Sequence, residues 1–187
     1  PWNTIEQIVN YLNPEVPLYT LEGTKSLLNT LNINNDFLFP LHENKGKNTR
    51  DIVGVKDNEV IEVGKIKVKV MPVDHDAYGA CGLLIETPDL VISYTGDIRL
   101  HGYRKEDTLN FCKESENCDV LLIEGVSVSF QEFDEVREDE ISNEPELIEK
   151  INEIVKENPN KQITFNYYIS NIERILNKIK QEEKNYW

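Results

Sequence analysis

Between residues 59 and 73 the chain reads EVIEVGKIKVKVMPV, with apolar and charged side chains taking turns. A period of two puts one set of side chains on each face of an extended backbone, so this stretch specifies strands with one buried face. CGLLIET (81–87) and DLVISYT (89–95) continue the theme and meet at Pro88-Asp89, a hairpin signal. DVLLIEG (119–125) is nearly unbroken apolar sequence, as in a strand buried on both faces.

Helical spacing appears on either side of this block. TIEQIVNYL (4–12) places Ile5, Ile8, Val9 and Leu12 on one face, with Asn13-Pro14 as a stop. VPLYT (16–20) predicts a short strand, and TKSLLNTL (24–31) a helix with Thr24 as its N-cap. Residues 40–54 are polar, with Pro40, Gly46 and Gly54, and predict a loop. Residues 105–116 read as helix. NEPELIEKINEIVKE (143–157) is an amphipathic helix capped by Asn143, with Glu144 and Glu146 at the positive end of its dipole. QITFNYY (162–168) predicts a strand and SNIERILNKIKQEE (170–183) a final helix.

Charge narrows the function classes. The 187 residues carry a net charge of −14, which repels phosphate backbones and argues against nucleic-acid binding through bulk electrostatics. Residues 131–157 hold eleven acids against Arg137, Lys150 and Lys156, and 127–142 read as an acidic loop. Lys45, Lys47 and Arg50 make a small basic spot, taken as a solvated loop, and His42 beside them has no visible partner. No apolar run approaches the ~18 residues of a membrane span. Three cysteines, Cys81, Cys112 and Cys118, fit no disulfide or zinc-knuckle spacing and imply a reducing, cytoplasmic setting.

The chemistry concentrates in PVDHDAYGACGLLIETPDLVISYTGDIRLHG, residues 72–102. His75 follows one strand and Asp97, after Thr95-Gly96, follows another. An imidazole and a carboxylate at neighbouring strand ends are the right donors for zinc or manganese at the rim of a sheet. His101 falls near the same rim, as a contact to substrate or to the ligands. Asp74 and Asp76 read as solvated or turn-forming, with Asp74 also a candidate to contact substrate or back the ligands. There is no Gly-rich phosphate loop, Gly-x-Ser-x-Gly elbow or Cys–His pair.

These residues resemble the third and fourth metal motifs of the metallo-β-lactamase fold. Within that fold the chain looks like the β-CASP branch, above all the ribonuclease J-like RNA-processing exonucleases. The resemblance implies that His75 binds one metal and that Asp97 bridges two. Glu124, in LLIEGV, would be the carboxylate that orients a distant histidine, although Val126 stands where the family has Thr. YLNPEVPLYT resembles the segment after the first metal motif, and ITFNYYISNIERILNKI the early β-CASP insert. The implied fold class is α/β: part of an αββα sandwich over residues 1–126, lacking its N-terminal part, and the start of a β-CASP α/β domain over 127–187. The implied activity is hydrolysis of RNA phosphodiesters by metal-bound hydroxide, with zinc or manganese as cofactor and RNA as partner.

The family's His-x-His-x-Asp-His cluster would fall near Thr4-Ile5, where the chain reads PWNTIEQ. A two-metal site takes about seven protein ligands, and a held zinc at least about three. His75 and Asp97 alone would leave the metal absent or partly bound. Two readings stay open. The chain is a piece of a metal-dependent hydrolase, cut or degenerate at its N-terminus and cut within the inserted domain; or it is a catalytically inactive member serving as a binding or assembly module. An incomplete sandwich would expose apolar surface, so a homodimer is a further expectation.

Overall fold

The computed structural model describes residues 16–35, 52–125, 141–168 and 170–185. The expected helix at 4–12, residues 40–51 of the expected loop, and 127–140 of the acidic stretch lie outside them.

The alternating block forms an antiparallel meander. Strands β3 (Val60–Val63), β4 (Ile66–Pro72), β5 (Cys81–Glu86) and β6 (Val91–Tyr94) pair in sequence order. Val63 faces Ile66 across the Gly64–Lys65 turn. The second hairpin closes where Thr87 N–H donates to Leu90 O at 2.9 Å and Leu90 N–H returns to Thr87 Oγ1 at 2.9 Å. Helix α2 (Lys105–Glu114) then carries the chain to β7 (Val120–Leu122), which adds to β6 in parallel.

The period of two sorts the core. Met71, Val73 and Leu84 gather on one face with Phe111 of α2. Val70, Val68 and Leu83 lie on the other, with Leu21 and Val55. These last two come from β1 (Leu18–Leu21) and β2 (Ile52–Val55), a separate parallel pair. Helix α1 (Glu22–Asn35) covers the far side of that pair: a Cβ added to Gly54 would lie 3.1 Å from Glu22 Cγ and 3.2 Å from Lys25 Cδ of α1. Since Gly54 and Val55 point to opposite faces, the layers run α2, five-stranded sheet, β1–β2, α1. Two further helices follow, α3 (Glu144–Glu157) and α4 (Ile172–Asn185). Asn143 caps α3 as expected, its Oδ1 accepting from Glu146 N–H at 2.9 Å.

Four local expectations are corrected. Residues 52–54 are strand, because Gly54 serves a close approach to α1 and not a turn. Thr24 lies inside α1, where its hydroxyl donates to Gly79 O at 2.8 Å instead of capping the helix. Strand β7 is not buried on both faces: Leu121, Leu122 and Ile123 are 53%, 51% and 65% exposed, and among the described residues β7 pairs only with β6. Residues 162–168 form no ladder; Phe165 and Tyr167 stack with ring centroids 6.2 Å apart, but no described strand pairs with them. No described helix is long and apolar enough to cross a membrane.

Phe111 is 1% exposed, and its ring occupies the space where a Cβ on Gly82 would sit, 2.6 Å from its nearest atom. Phe111→Ala should therefore cost about 3–5 kcal/mol of unfolding free energy, read from urea denaturation. A cost below about 1 kcal/mol would show that this face of the sheet is not the core.

Candidate metal-binding rim

The rim is built where β4 and β6 end. After β4 the chain turns through residues 74–79, held because Val73 N–H still donates to Ala80 O at 3.1 Å. Gly79, at φ 81°, lies against Thr24, and any side chain there would strike that residue. After β6, Gly96 at φ 58° passes close to Cys81 O and swings Asp97 outward. The buried Thr95 ties the next strand in: its N–H donates to Leu122 O at 3.0 Å, and its Oγ1 accepts from Glu124 N–H at 3.3 Å.

These turns bring His75, Asp97 and Glu124 to one cavity of about 630 Å³, with His101 and Cys112 also on its wall. His75 Nε2 lies 3.9 Å from Asp97 Oδ2. On the opposite side of the ring, His75 Nδ1 lies 2.9 Å from Asp76 Oδ1. Among the described residues no group of three or more His, Cys, Asp or Glu side chains is placed to hold a metal ion. An imidazole and a carboxylate are donors of the kind zinc or manganese takes. At 3.9 Å, though, they stand wider apart than neighbouring ligands of a tetrahedral or octahedral ion and, among the described residues, fall short in number.

Asp74 corrects the expectation of a solvated carboxylate. It has no exposed surface. Its Oδ2 accepts from Gly102 N–H at 2.7 Å and its Oδ1 from Arg99 Nε at 3.2 Å, while its carbonyl accepts from Arg99 N–H at 2.8 Å. Its own N–H donates to Thr108 Oγ1 at 2.8 Å. Asp74 thus holds, from beneath, the loop 97–102 that bears Asp97 and His101.

The other end of Arg99 reaches the helices. Its Nη1 donates to Glu144 Oε1 at 3.0 Å, and Arg174 of α4 donates to the same carboxylate through Nε at 2.8 Å and through Nη2. Glu144 N–H donates to His101 O at 2.9 Å. Burial pushes the Glu144 carboxyl up, but the Arg174 hydrogen bond and the charges of Arg174 and Arg99 outweigh it, and the group sits below its ordinary value. Asp76, Arg99, Glu144 and Arg174 are the residues that sequence reasoning missed as parts of the rim. Arg99 was in view within TGDIRLHG, but Glu144 lies 45 positions away and reads from sequence only as a helix-dipole partner.

No family model matches the chain, and no curated protein matches it. Among solved structures it is similar to a protein of unknown function from Enterococcus faecalis V583, 49% identical over 92% of this chain with a TM-score of 0.82. This chain spans 41% of that protein's length. A distant neighbour is the metallo-β-lactamase fold protein YhfI from Bacillus subtilis, 16% identical, with 65% of this chain and 42% of that one covered and a TM-score of 0.40.

Removing Asp74 leaves a buried guanidinium short of its partner, so Asp74→Ala should cost about 3–5 kcal/mol. For Glu144 the sign follows from its depressed value. Its contribution is complete above the unfolded-state pKa of about 4.3 and is lost as pH falls through the folded value. Glu144→Gln should therefore be less stable than the wild type at pH 7, and the difference should shrink below about pH 4.3. Urea midpoints across pH 3–7 check this; a difference that grows on acidification refutes the arrangement.

Proposed function

We propose that this chain carries part of the metal centre of a metallo-β-lactamase-type hydrolase of the β-CASP, ribonuclease J-like branch, acting on RNA phosphodiesters. The supporting observation is the approach of His75 Nε2 to Asp97 Oδ2, 3.9 Å, at a cavity whose wall also holds Glu124. His75 and Asp97 are the residues that would hold zinc or manganese. A bound ion supplies a Lewis acid for a phosphoryl oxygen and a water of lowered pKa. Glu124 offers a carboxylate to an orienting contact, and the exposed His101 a contact to substrate.

The division into a metallo-β-lactamase-like part, 1–126, and the start of a β-CASP-like part, 127–187, belongs to the same proposal. So do RNA as partner of the whole protein and a homodimer across exposed apolar surface. The three free cysteines suit a reducing, cytoplasmic setting. With a net charge of −14, this chain alone is a poor RNA binder.

The shortage of donors among the described residues favours a second reading, a catalytically inactive member that serves as a binding or assembly module. Calorimetric titration of the chain with zinc and with manganese separates the two. The hydrolase reading expects weak binding that both His75→Ala and Asp97→Ala abolish. The His75 side chain is 27% exposed, and His75→Ala should change unfolding free energy by less than about 2 kcal/mol. Binding that survives both substitutions sinks the metal-site reading and leaves the module.

A further inference from the structure

The turn that carries His75 is strung between α1 and the approach to α4 by one row of hydrogen bonds. At one end, in the first turn of α1, Thr24 Oγ1 donates to Gly79 O at 2.8 Å, with Tyr78 O a further acceptor at 3.3 Å. The peptide unit that holds Gly79 O also holds Ala80 N–H, which donates to Ala77 O at 3.2 Å. The unit that holds Ala77 O also holds Tyr78 N–H, which donates at 3.0 Å to Ser170 O, just ahead of α4. Hydrogen bonds in series polarise one another, so each link strengthens the next. From the same turn Ala77 N–H donates to His75 Nδ1 at 3.2 Å. Asp76 Oδ1 lies 2.9 Å from that nitrogen without the geometry of a hydrogen bond.

We propose that Thr24 is a positioning residue for His75, acting through this turn. Its hydroxyl fixes the backbone that sets Ala77 N–H against Nδ1 and turns the Nε2 edge of the ring toward Asp97. Two close approaches make α1 the anchor. A Cβ on Gly79 would lie 2.2 Å from Thr24 Oγ1, and a Cβ on Gly23 would lie 2.7 Å from the Tyr78 ring. A neutral imidazole that accepts at Nδ1 carries its hydrogen on Nε2, so the turn sets the tautomer as well as the tilt. That Nε2–H faces Asp97 Oδ2 across 3.9 Å, a favourable meeting of opposite charges. The bearing on a metal rests on the reading proposed above. An ion taken at Nε2 has to displace that hydrogen and end the Ala77 contact, which couples metal binding to the turn's hydrogen bonds.

The test uses the full chain labelled with ¹⁵N, with histidine ring spectra taken above the pH at which the imidazoles titrate. His42→Gln and His101→Gln variants assign the His75 signals by elimination. The wild type should show a pyridine-type Nδ1 and a pyrrole-type Nε2, an outcome that needs no variant to fold. Thr24→Val keeps the shape and removes the donor. It should draw the two nitrogens toward the averaged position of a free imidazole. It should also speed amide exchange at Ala77 and Ala80 about 2–10-fold, the worth of one hydrogen bond. Thr24→Ser, which keeps the hydroxyl, should hold the wild-type ring pattern. Thr30→Val, the same change at a hydroxyl that bonds only within α1, to Ser26 O, should not move it. A pyrrole-type Nδ1 in the wild type, or wild-type ring signals in Thr24→Val, overturns the proposal. So does a ring disturbed as much by Thr24→Ser or Thr30→Val as by Thr24→Val. No metal enters these readings, so they fail or succeed apart from the metal site. Zinc that binds in calorimetry while Ala77 stays protected and Nε2 keeps its hydrogen lies elsewhere than on His75. That result would leave the positioning role standing and remove the metal-site reading instead.

Discussion

A guanidinium sealed between two carboxylates governs the architecture. Arg99, 9% exposed, lies between Asp74 and Glu144, which are 0% and 2% exposed. Taking three charges out of water contributes little net stability even when each is paired. What the arrangement supplies is location. Asp74 belongs to the turn after β4, Arg99 to the loop after β6, and Glu144 to the first turn of α3. Displacing Arg99 would leave the buried Asp74 without its cation, and displacing either carboxylate would take from Arg99 one of its two anionic partners. The register of turn, loop and helix is fixed together, and the turn and the loop line the cavity.

Most of the sheet was legible because its information is local. Alternation over 59–73 and the Thr87–Leu90 turn state the meander without reference to anything distant. The misreadings share one cause, a dependence on partners remote in sequence. Gly54 looks like loop punctuation until α1 is laid across it. Thr24 has the composition of a cap, but Gly79 claims its hydroxyl. QITFNYY has strand composition, yet a strand exists only when a neighbour completes its ladder. Residues 119–125 have the composition of a doubly covered strand, and composition cannot say what lies alongside.

The rim shows the same division. His75 and Asp97 were legible because each follows a strand that pairs with β5, so a two-hairpin topology brings them near each other. Asp74 and Asp76 flank His75 and look alike in sequence, yet one is sealed beneath a loop and the other, 44% exposed, stands beside the imidazole. An extended backbone would put both on one face, so it is the turn after β4 that separates them, and only the packing of Thr108 and Gly102 shows which one turns inward. Arg174 could not have been tied to this site from sequence, since it stands 30 positions beyond Glu144 on another helix.

Among the described residues no strand pairs with the far edge of β7, which would have a consequence for the chain in solution. An apolar edge strand with a row of unpaired amides and carbonyls is a template for strand addition, and a second copy of the same strand is always at hand. Asp119 and Glu124 bracket this one. Antiparallel self-pairing centred between Leu121 and Leu122 would set Asp119 of one copy opposite Glu124 of the other, at both ends of the joint. Like charges directly opposite at both ends would destabilise such a joint.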